Sequence, residues 1–349
     1  MKTYGFGIIG CGMISDFHSA AIAELEHGKL VAVSSRNSDN AKRLTDQYQV
    51  AGYSDYNEML QRDDLDIVCV CTPSGAHAEP AVAAAKAGKH VVVEKPLEIT
   101  LERCDQIIEA CDASGVRLCA IFNSRFSESS QLVKQTIDSG RFGKLTLGDA
   151  YIKWYRSQEY YDSGGWRGTW NLDGGGALMN QSIHAIDLLQ YFMGPVRAVQ
   201  AFTDTMAHER IEVEDVAVAA LRFENGALGV VEGTTSAYPG MFKKTEICGT
   251  KGTVVLEEEN IDKWEFDPEL PEDAEIRERF AAKTTTGGGA SDPRAISYDN
   301  HRRQMENLIN GIEGDTAHLV DGREGRKAVE IILAIYQSSR EGRIVELPL

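Results

Sequence analysis

Between residues 4 and 122 the chain repeats one pattern, a short run of apolar residues followed by an amphipathic stretch. The runs are "YGFGIIG", "KLVAVSS", "DIVCVC", "HVVVEK" and "RLCAIF"; the stretches between them include "SDFHSAAIAEL", "NAKRLTDQY", "EPAVAAAKAG" and "LERCDQIIEACDASG". A strand that is apolar at nearly every position must be buried on both faces, and a helix after each strand supplies the cover. Residues 1–122 are therefore expected to form an N-terminal α/β domain, a doubly wound parallel sheet.

The pattern changes after Asn123. A helix in "SSQLVKQTIDSG" precedes longer strands, and "FENGALG" puts Asn-Gly between two of them, the strongest short hairpin signal in the chain. At 349 residues the chain exceeds a comfortable single core. Residues 123–349 are expected to be a second, C-terminal α+β domain with a large, mainly antiparallel open sheet and a helix near 177–192 laid across it. Residues 257–294, acidic and then Gly/Ser/Thr/Pro-rich, read as a long surface loop, and two helices close the chain.

The formal charge of -17 and the lack of a Lys/Arg-rich run exclude a phosphate-neutralising surface, so nucleic acid is not an expected partner. No apolar run approaches the ~20 residues of a membrane helix, and the first strand begins at once, so a cytoplasmic protein with no membrane partner is expected. The seven cysteines are scattered within apolar runs and lack zinc spacing. Buried thiols, without disulfides or metal, are the expectation.

"GIIGCGMIS" places Gly10 and Gly12 at the end of the first strand, with Ser15 where a third small residue is needed. Glycines there let backbone approach a pyrophosphate, and the helix that starts at Met13 and Ile14 offers free N–H groups and its positive dipole end. The second strand ends in Ser35-Arg36 instead of the acid that usually binds the adenine ribose. Without that carboxylate a 2'-phosphate is acceptable, which favours NADP over NAD. "CTPSGAH" (Thr72, Pro73, His77) and "EKP" (Glu94, Lys95, Pro96) follow later strands at the carboxyl edge, where such sheets bind ligands. A Lys held there can protonate or hydrogen-bond a reacting oxygen, although surface Lys residues are common.

"GGGALMNQSIHAID" is the other stretch that asks for an explanation. Three glycines suit a close approach of backbone to something else, and Asn180 and His184 share a helical face, aimed either at a substrate or into a core. Upstream, Trp166 and Trp170 offer flat faces for a pyranose and Arg167 a donor for cofactor or substrate. Asn123 and Arg125 follow the last strand of the first domain, Tyr238 follows a strand end, and Asp187 pairs or caps within the fold.

Together "GCGMIS", "CTPSGAHAEPAVAAAKAGKHVVVEKPLEIT" and "GGGALMNQSIHAIDLLQYFMG" resemble the glucose-fructose oxidoreductase, inositol dehydrogenase and rhizopine-catabolism (Gfo/Idh/MocA) family across nearly the whole chain. The resemblance implies an N-terminal Rossmann domain, a nicotinamide cofactor, and hydride transfer at a hydroxyl or ketone of a sugar, sugar derivative or cyclitol. It also implies assembly through the C-terminal sheet, as a homodimer or homotetramer. By position Lys95 matches the family lysine and His184 the family histidine. Cofactor contacts are expected from Gly10, Gly12, Met13, Ile14, Ser35, Arg36, Thr72, Pro73, His77, Glu94, Lys95, Pro96, Asn123, Trp166 and Arg167. Substrate contacts are expected from Lys95, Arg125, Trp170, Asn180, His184 and Tyr238. The family often has Asp where this chain has Asn180, and an amide positions but does not relay a proton. The form with Asn resembles a branch that includes nucleotide-sugar uronate dehydrogenases. Two other readings are an NAD-dependent glycosidase working by transient oxidation and a non-catalytic dinucleotide-sensing regulator.

Overall fold

The apolar runs become six parallel strands: β1 (Tyr4–Ile9), β2 (Gly28–Ser34), β3 (Ala51–Tyr53), β4 (Ile67–Val70), β5 (His90–Val93) and β6 (Leu118–Ala120). They pair in the order β3-β2-β1-β4-β5-β6. Every residue of β1 and β4 is buried, as two-sided cover requires. The helices between them are α1 (Ile14–Ala23), α2 (Ser38–Tyr48), α3 (Tyr56–Met59), α4 (Ala78–Lys86) and α5 (Leu101–Ser114). Asn37 caps α2, accepting from two backbone N–H groups, and Thr100 caps α5. β3, three partly exposed residues with no apolar run, was not legible as a strand.

The second sheet is built from β7 (Leu145–Lys153), β8 (Val196–Asp204), β9 (Val216–Phe223), β10 (Leu228–Thr234), β11 (Lys244–Gly249), β12 (Gly252–Glu257), β13 (Asn260–Phe266) and β14 (Val345–Glu346), in the order β13-β12-β11-β7-β10-β9-β8-β14. All its pairings are antiparallel except β7 with β10. β9 and β10 form the hairpin expected from Asn225-Gly226, with Gly226 at φ +87°. Along β9 the residues Ala217, Ala219, Leu221 and Phe223 face the core while Val218 and Arg222 are exposed, the two-residue period of a sheet covered on one side. The cover comes from α8 (Ile183–Met193), which follows α6 (Glu128–Asp138) and α7 (Gln158–Asp162) and packs on β7 and β11.

The computed structural model describes residues 2–281 and 297–349. Its contacts divide the chain into Met1–Asn123 with Ser297–Val329, and Ser124–Ile296 with Glu330–Leu349. This corrects the expectation that 123–349 is one continuous domain. Helix α10 (Asp299–Glu313) buries Met305, Leu308 and Ile309 in the core of Phe6, Ile8 and Ile22. Its Gln304 bonds Phe122 N–H and Ala120 C=O, satisfying backbone beyond β6. The boundary then falls within α11 (Gly322–Glu341).

A second correction concerns 257–294. Instead of a loop, residues 260–266 are β13, paired with β12, and α9 (Glu272–Phe280) follows. Buried Asp273 ties them, accepting from Trp264 Nε1 at 2.6 Å, Arg141 Nη1 at 2.7 Å and Leu270 N–H at 2.7 Å. Residues 282–294 of that expectation lie outside the described residues. All seven cysteines are free thiols, six buried and Cys248 half-buried. Among the described residues no helix is long and apolar enough to cross a membrane.

Candidate active site

In the first unit the glycine turn behaves as its sequence requires. Gly10 has φ +96°, and a Cβ there would lie 2.6 Å from Cys71 O, whereas a Cβ on Gly12 would meet nothing within 4 Å. Backbone is thus open at Gly12, and Met13, at the N-cap of α1, gives no side-chain cap to the helix, unlike the caps of α2 and α5. A helix start left open beside bare backbone fits a pyrophosphate. Ser15 sits inside the turn, its hydroxyl donating to Gly12 O. Burial pushes the intervening Cys11 thiol up to about 11, so it is inert.

Ser35 follows β2, its Oγ accepting from Asn37 N–H at 3.1 Å, and the Arg36 side chain beside it is exposed. Half-buried Thr72 and Pro73 follow β4. His77 is corrected from a ligand contact to a loop brace. It is buried, with Nδ1 2.9 Å from Pro96 O and Nε2 2.9 Å from Thr72 O, so neither nitrogen is turned to a ligand.

Glu94 is likewise corrected. Its buried carboxylate is occupied from inside the protein, Oε1 by His18 Nε2 at 2.7 Å with His301 Nε2 at 3.5 Å, and Oε2 by the Lys95 N–H at 3.1 Å. Burial alone lifts this carboxyl, but the hydrogen bonds from His18 and His301 outweigh it and hold it well below the usual carboxylate range. Burial also pushes the His18 ring down, toward the neutral form. Asn123, expected at the cofactor, is buried with Nδ2 3.1 Å from His301 Nδ1. Lys95 follows β5, half-buried, its backbone fixed by Glu94 and buried Pro96.

In the second unit the three glycines answer their own chain. A Cβ on Gly175 would lie 2.1 Å from the Tyr336 hydroxyl and one on Gly176 1.8 Å from Glu214 O. The residues after them, Ala177–Ser182, wind as a π-helix before α8 begins at Ile183. π-turns are rare and frequent at functional sites. Glu214 holds this turn: Oε2 accepts from Gly176 N–H at 2.9 Å and Oε1 from Leu178 N–H at 2.8 Å and the Tyr336 hydroxyl at 2.9 Å. Burial outweighs those donors and raises its carboxyl to about 7.

Half-buried Asn180 lies in that turn and half-buried His184 in the first turn of α8. Asn180 Nδ2 donates to Asp173 Oδ1 at 2.6 Å, and Asp173 Oδ2 accepts from Gly168 N–H at 2.9 Å. Gln181 Nε2 donates to Asn180 Oδ1 and to the Tyr160 hydroxyl, both at 3.0 Å, while its Oε1 accepts from buried Arg156 at 2.9 Å. The Arg156 guanidinium lies over Trp154 and Tyr160, and that of Arg167 over Tyr160 and Trp166. Two cations walled by aromatic rings therefore connect to the Asn180 turn. Asp173, Gln181, Arg156 and Glu214 were missed: each is an ordinary polar residue in sequence, and only "NQ" at 180–181 gave any local sign.

Arg125 is corrected from substrate binding to structure. Buried, it forms a two-pronged pair with Asp187 at 2.8 and 2.6 Å and lies over Tyr191, so Asp187 pairs within the fold as expected. Removing either partner would strand a buried charge at a cost of about 3–5 kcal/mol. Trp170 and Tyr238 are 44% and 81% exposed, edge-on to Tyr336 and Tyr155 respectively.

A parallel sheet of this order with an open glycine turn, and a Lys at the carboxyl end of β5, defines a dinucleotide-binding protein. Residues 4–122 match the model described as oxidoreductase family, NAD-binding Rossmann fold, and residues 130–255 the GFO/IDH/MocA C-terminal domain. The chain belongs to the GFO/IDH/MocA family. It is 26% identical to the myo-inositol 2-dehydrogenase of Thermotoga maritima over 98% of both chains, and 29% identical to the levoglucosan dehydrogenase of Pseudarthrobacter phenanthrenivorans over 75% of both. Among solved structures it is similar to the WlbA dehydrogenase of Bordetella pertussis in complex with NADH and UDP-GlcNAcA, with 38% identity and a TM-score of 0.90, covering 100% of this chain and 99% of that one. It is an oxidoreductase with an NAD-binding Rossmann fold.

Proposed function

We propose that this chain oxidises a secondary hydroxyl of an acidic, nucleotide-linked sugar. The observation that carries the reading is the pair Arg156 and Arg167, which share the Tyr160 ring beside Trp154 and Trp166, Arg156 being joined through Gln181 to Asn180. Guanidinium groups against aromatic faces suit a carboxylate or phosphate next to a sugar ring. WlbA, similar over the whole chain, was crystallised with a uronic acid linked to UDP.

In this reading Gly10, Gly12, Met13 and Ile14 hold the pyrophosphate, Ser35 and Arg36 the adenine ribose, and Thr72, Pro73, Lys95 and Pro96 line the nicotinamide side. The bound cofactor supplies the hydride acceptor. His184 takes the hydroxyl proton, Lys95 stabilises the developing alkoxide, and Asn180 positions the substrate. Trp166 and Arg167 border cofactor and sugar, and Trp170 and Tyr238 flank the sugar. NADP(H) is favoured over NAD(H) because Ser35 and exposed Arg36 stand where an acid would repel a 2'-phosphate. The NADH in the WlbA and levoglucosan dehydrogenase structures favours the second choice, NAD(H). The exposed outer face of the second sheet, with Leu147, Phe202, Val218 and Leu228, supports a homodimer or homotetramer through that face.

The deciding experiment offers UDP-N-acetylglucosaminuronate, UDP-N-acetylglucosamine and myo-inositol, each with NAD+ and NADP+, and follows reduced-nicotinamide absorbance. Turnover confined to the uronate, and lost in Arg156→Met, is expected. Equal turnover of the neutral cyclitol would refute the acidic substrate. An NAD+ preference that survives Arg36→Ala would refute the NADP reading.

A further inference from the structure

Three side chains from three separate elements converge inside the first unit: His18 from α1, Glu94 from the end of β5 and His301 from α10, all buried. One ligand atom from each of the three lies within 4.8 Å of the other two, close enough for a shared metal ion. The hydrogen bonds point elsewhere. An amide nitrogen only donates, so His301 Nδ1, which faces Asn123 Nδ2, accepts, and the ring proton sits on Nε2 toward Glu94. His18 Nδ1 is buried without a hydrogen-bond partner, which leaves its ring proton on Nε2, also toward Glu94. Each imidazole therefore turns a proton, not a lone pair, toward the carboxylate. With His18 Nε2 on Oε1 and the Lys95 N–H on Oε2, the carboxylate accepts two hydrogen bonds, with His301 Nε2 a further 3.5 Å contact, and this donor set favours its ionised form.

That charge sits at the carboxyl end of β5. In a sheet of order 3-2-1-4-5-6 the first nucleotide of a dinucleotide lies on the β1–β2 side and the second on the β4–β5 side. Oxidised and reduced nicotinamide differ by one positive charge on the ring. A fixed buried anion on that side attracts the oxidised ring through a medium that screens poorly, and has no such attraction for the reduced one. We propose that the His18–Glu94–His301 cluster is a built-in anion that makes this protein bind the oxidised nicotinamide cofactor more tightly, relative to the reduced one, than its other contacts alone would. The proposal rests on the dinucleotide reading but not on any choice of substrate.

The test is calorimetric titration of oxidised and reduced cofactor into the full-length chain. Glu94→Gln keeps the shape and removes the charge, so the affinity ratio should move toward the reduced form by on the order of tenfold. His18→Gln keeps a donor against an ionised Glu94, so it should leave the ratio where it was. A merely structural Glu94 would weaken both forms equally, and that result would overturn the proposal. If circular dichroism shows Glu94→Gln unfolded, His18→Lys, which sets an ammonium against the same carboxylate, should move the ratio in the same direction; an unchanged ratio overturns the proposal. Stoichiometric metal in the purified wild-type protein would also overturn it, since the ion would cancel the charge. Failure of either cofactor form to bind the wild type would instead refute the dinucleotide reading.

Discussion

Asn180 is an amide and not a carboxylate, and its neighbour supplies the physical reason. Its Nδ2 donates to Asp173 Oδ1 at 2.6 Å, and Asp173 is buried. A carboxylate at 180 would face another at hydrogen-bonding distance, and two such groups cannot both ionise cheaply. Asn180→Asp is therefore expected to lower the melting temperature at neutral pH and to regain part of the loss on mild acidification, as one proton is shared. A pH-independent melting temperature would show that Asp173 turns away. The proposed proton chemistry is tested at the same scale. Lys95→Met and His184→Ala should each lower turnover on the order of 100-fold while cofactor affinity, read by fluorescence titration, stays nearly intact. Near-normal turnover in His184→Ala would make that residue structural.

The element that matters most is the π-turn Ala177–Ser182, held by Glu214 through Gly176, Leu178 and Tyr336. Burial raises this carboxyl from an ordinary value of 4.5 to about 7. A folded-state value above the unfolded one means the folded protein binds the proton more tightly. The stability this contributes is complete below the ordinary value and is lost as pH rises through about 7. Glu214→Gln, neutral at every pH, should flatten the fall in melting temperature between about pH 5 and about pH 8. A slope unchanged in the variant would show that another group titrates there. Asp273 has the opposite sign: burial raises it, but Arg141, the Leu270 N–H and Trp264 hold it at about 2, so its contribution is present above the ordinary carboxyl value and lost only in strong acid.

For the whole molecule the exposed outer face of the second sheet is the feature with the largest expected consequence. Val218, Leu228 and Phe202 are 48%, 48% and 77% exposed on neighbouring strands. Light scattering should find a dimer or larger species, and Val218→Asp should reduce its mass by dissociation without loss of helix signal. A monomeric wild type at micromolar concentration would contradict this assembly.

The doubly wound sheet was legible from sequence because strands buried on both sides need unbroken apolar runs, as in "IVCVC". The glycine turn was legible because Gly10 adopts φ +96°, and the hairpin at Asn225-Gly226 because its turn needs those residues. Such requirements are local and leave a mark in neighbouring positions. Long-range contacts leave none. Nothing near Arg125 announces that Asp187 neutralises it, nothing in "EKP" that His18 and His301 occupy Glu94, and nothing in "GGG" that Glu214 and Tyr336 press against it. The return of α10 to the first core was hidden for the same reason, since an amphipathic helix shows which face is buried but not the surface that buries it.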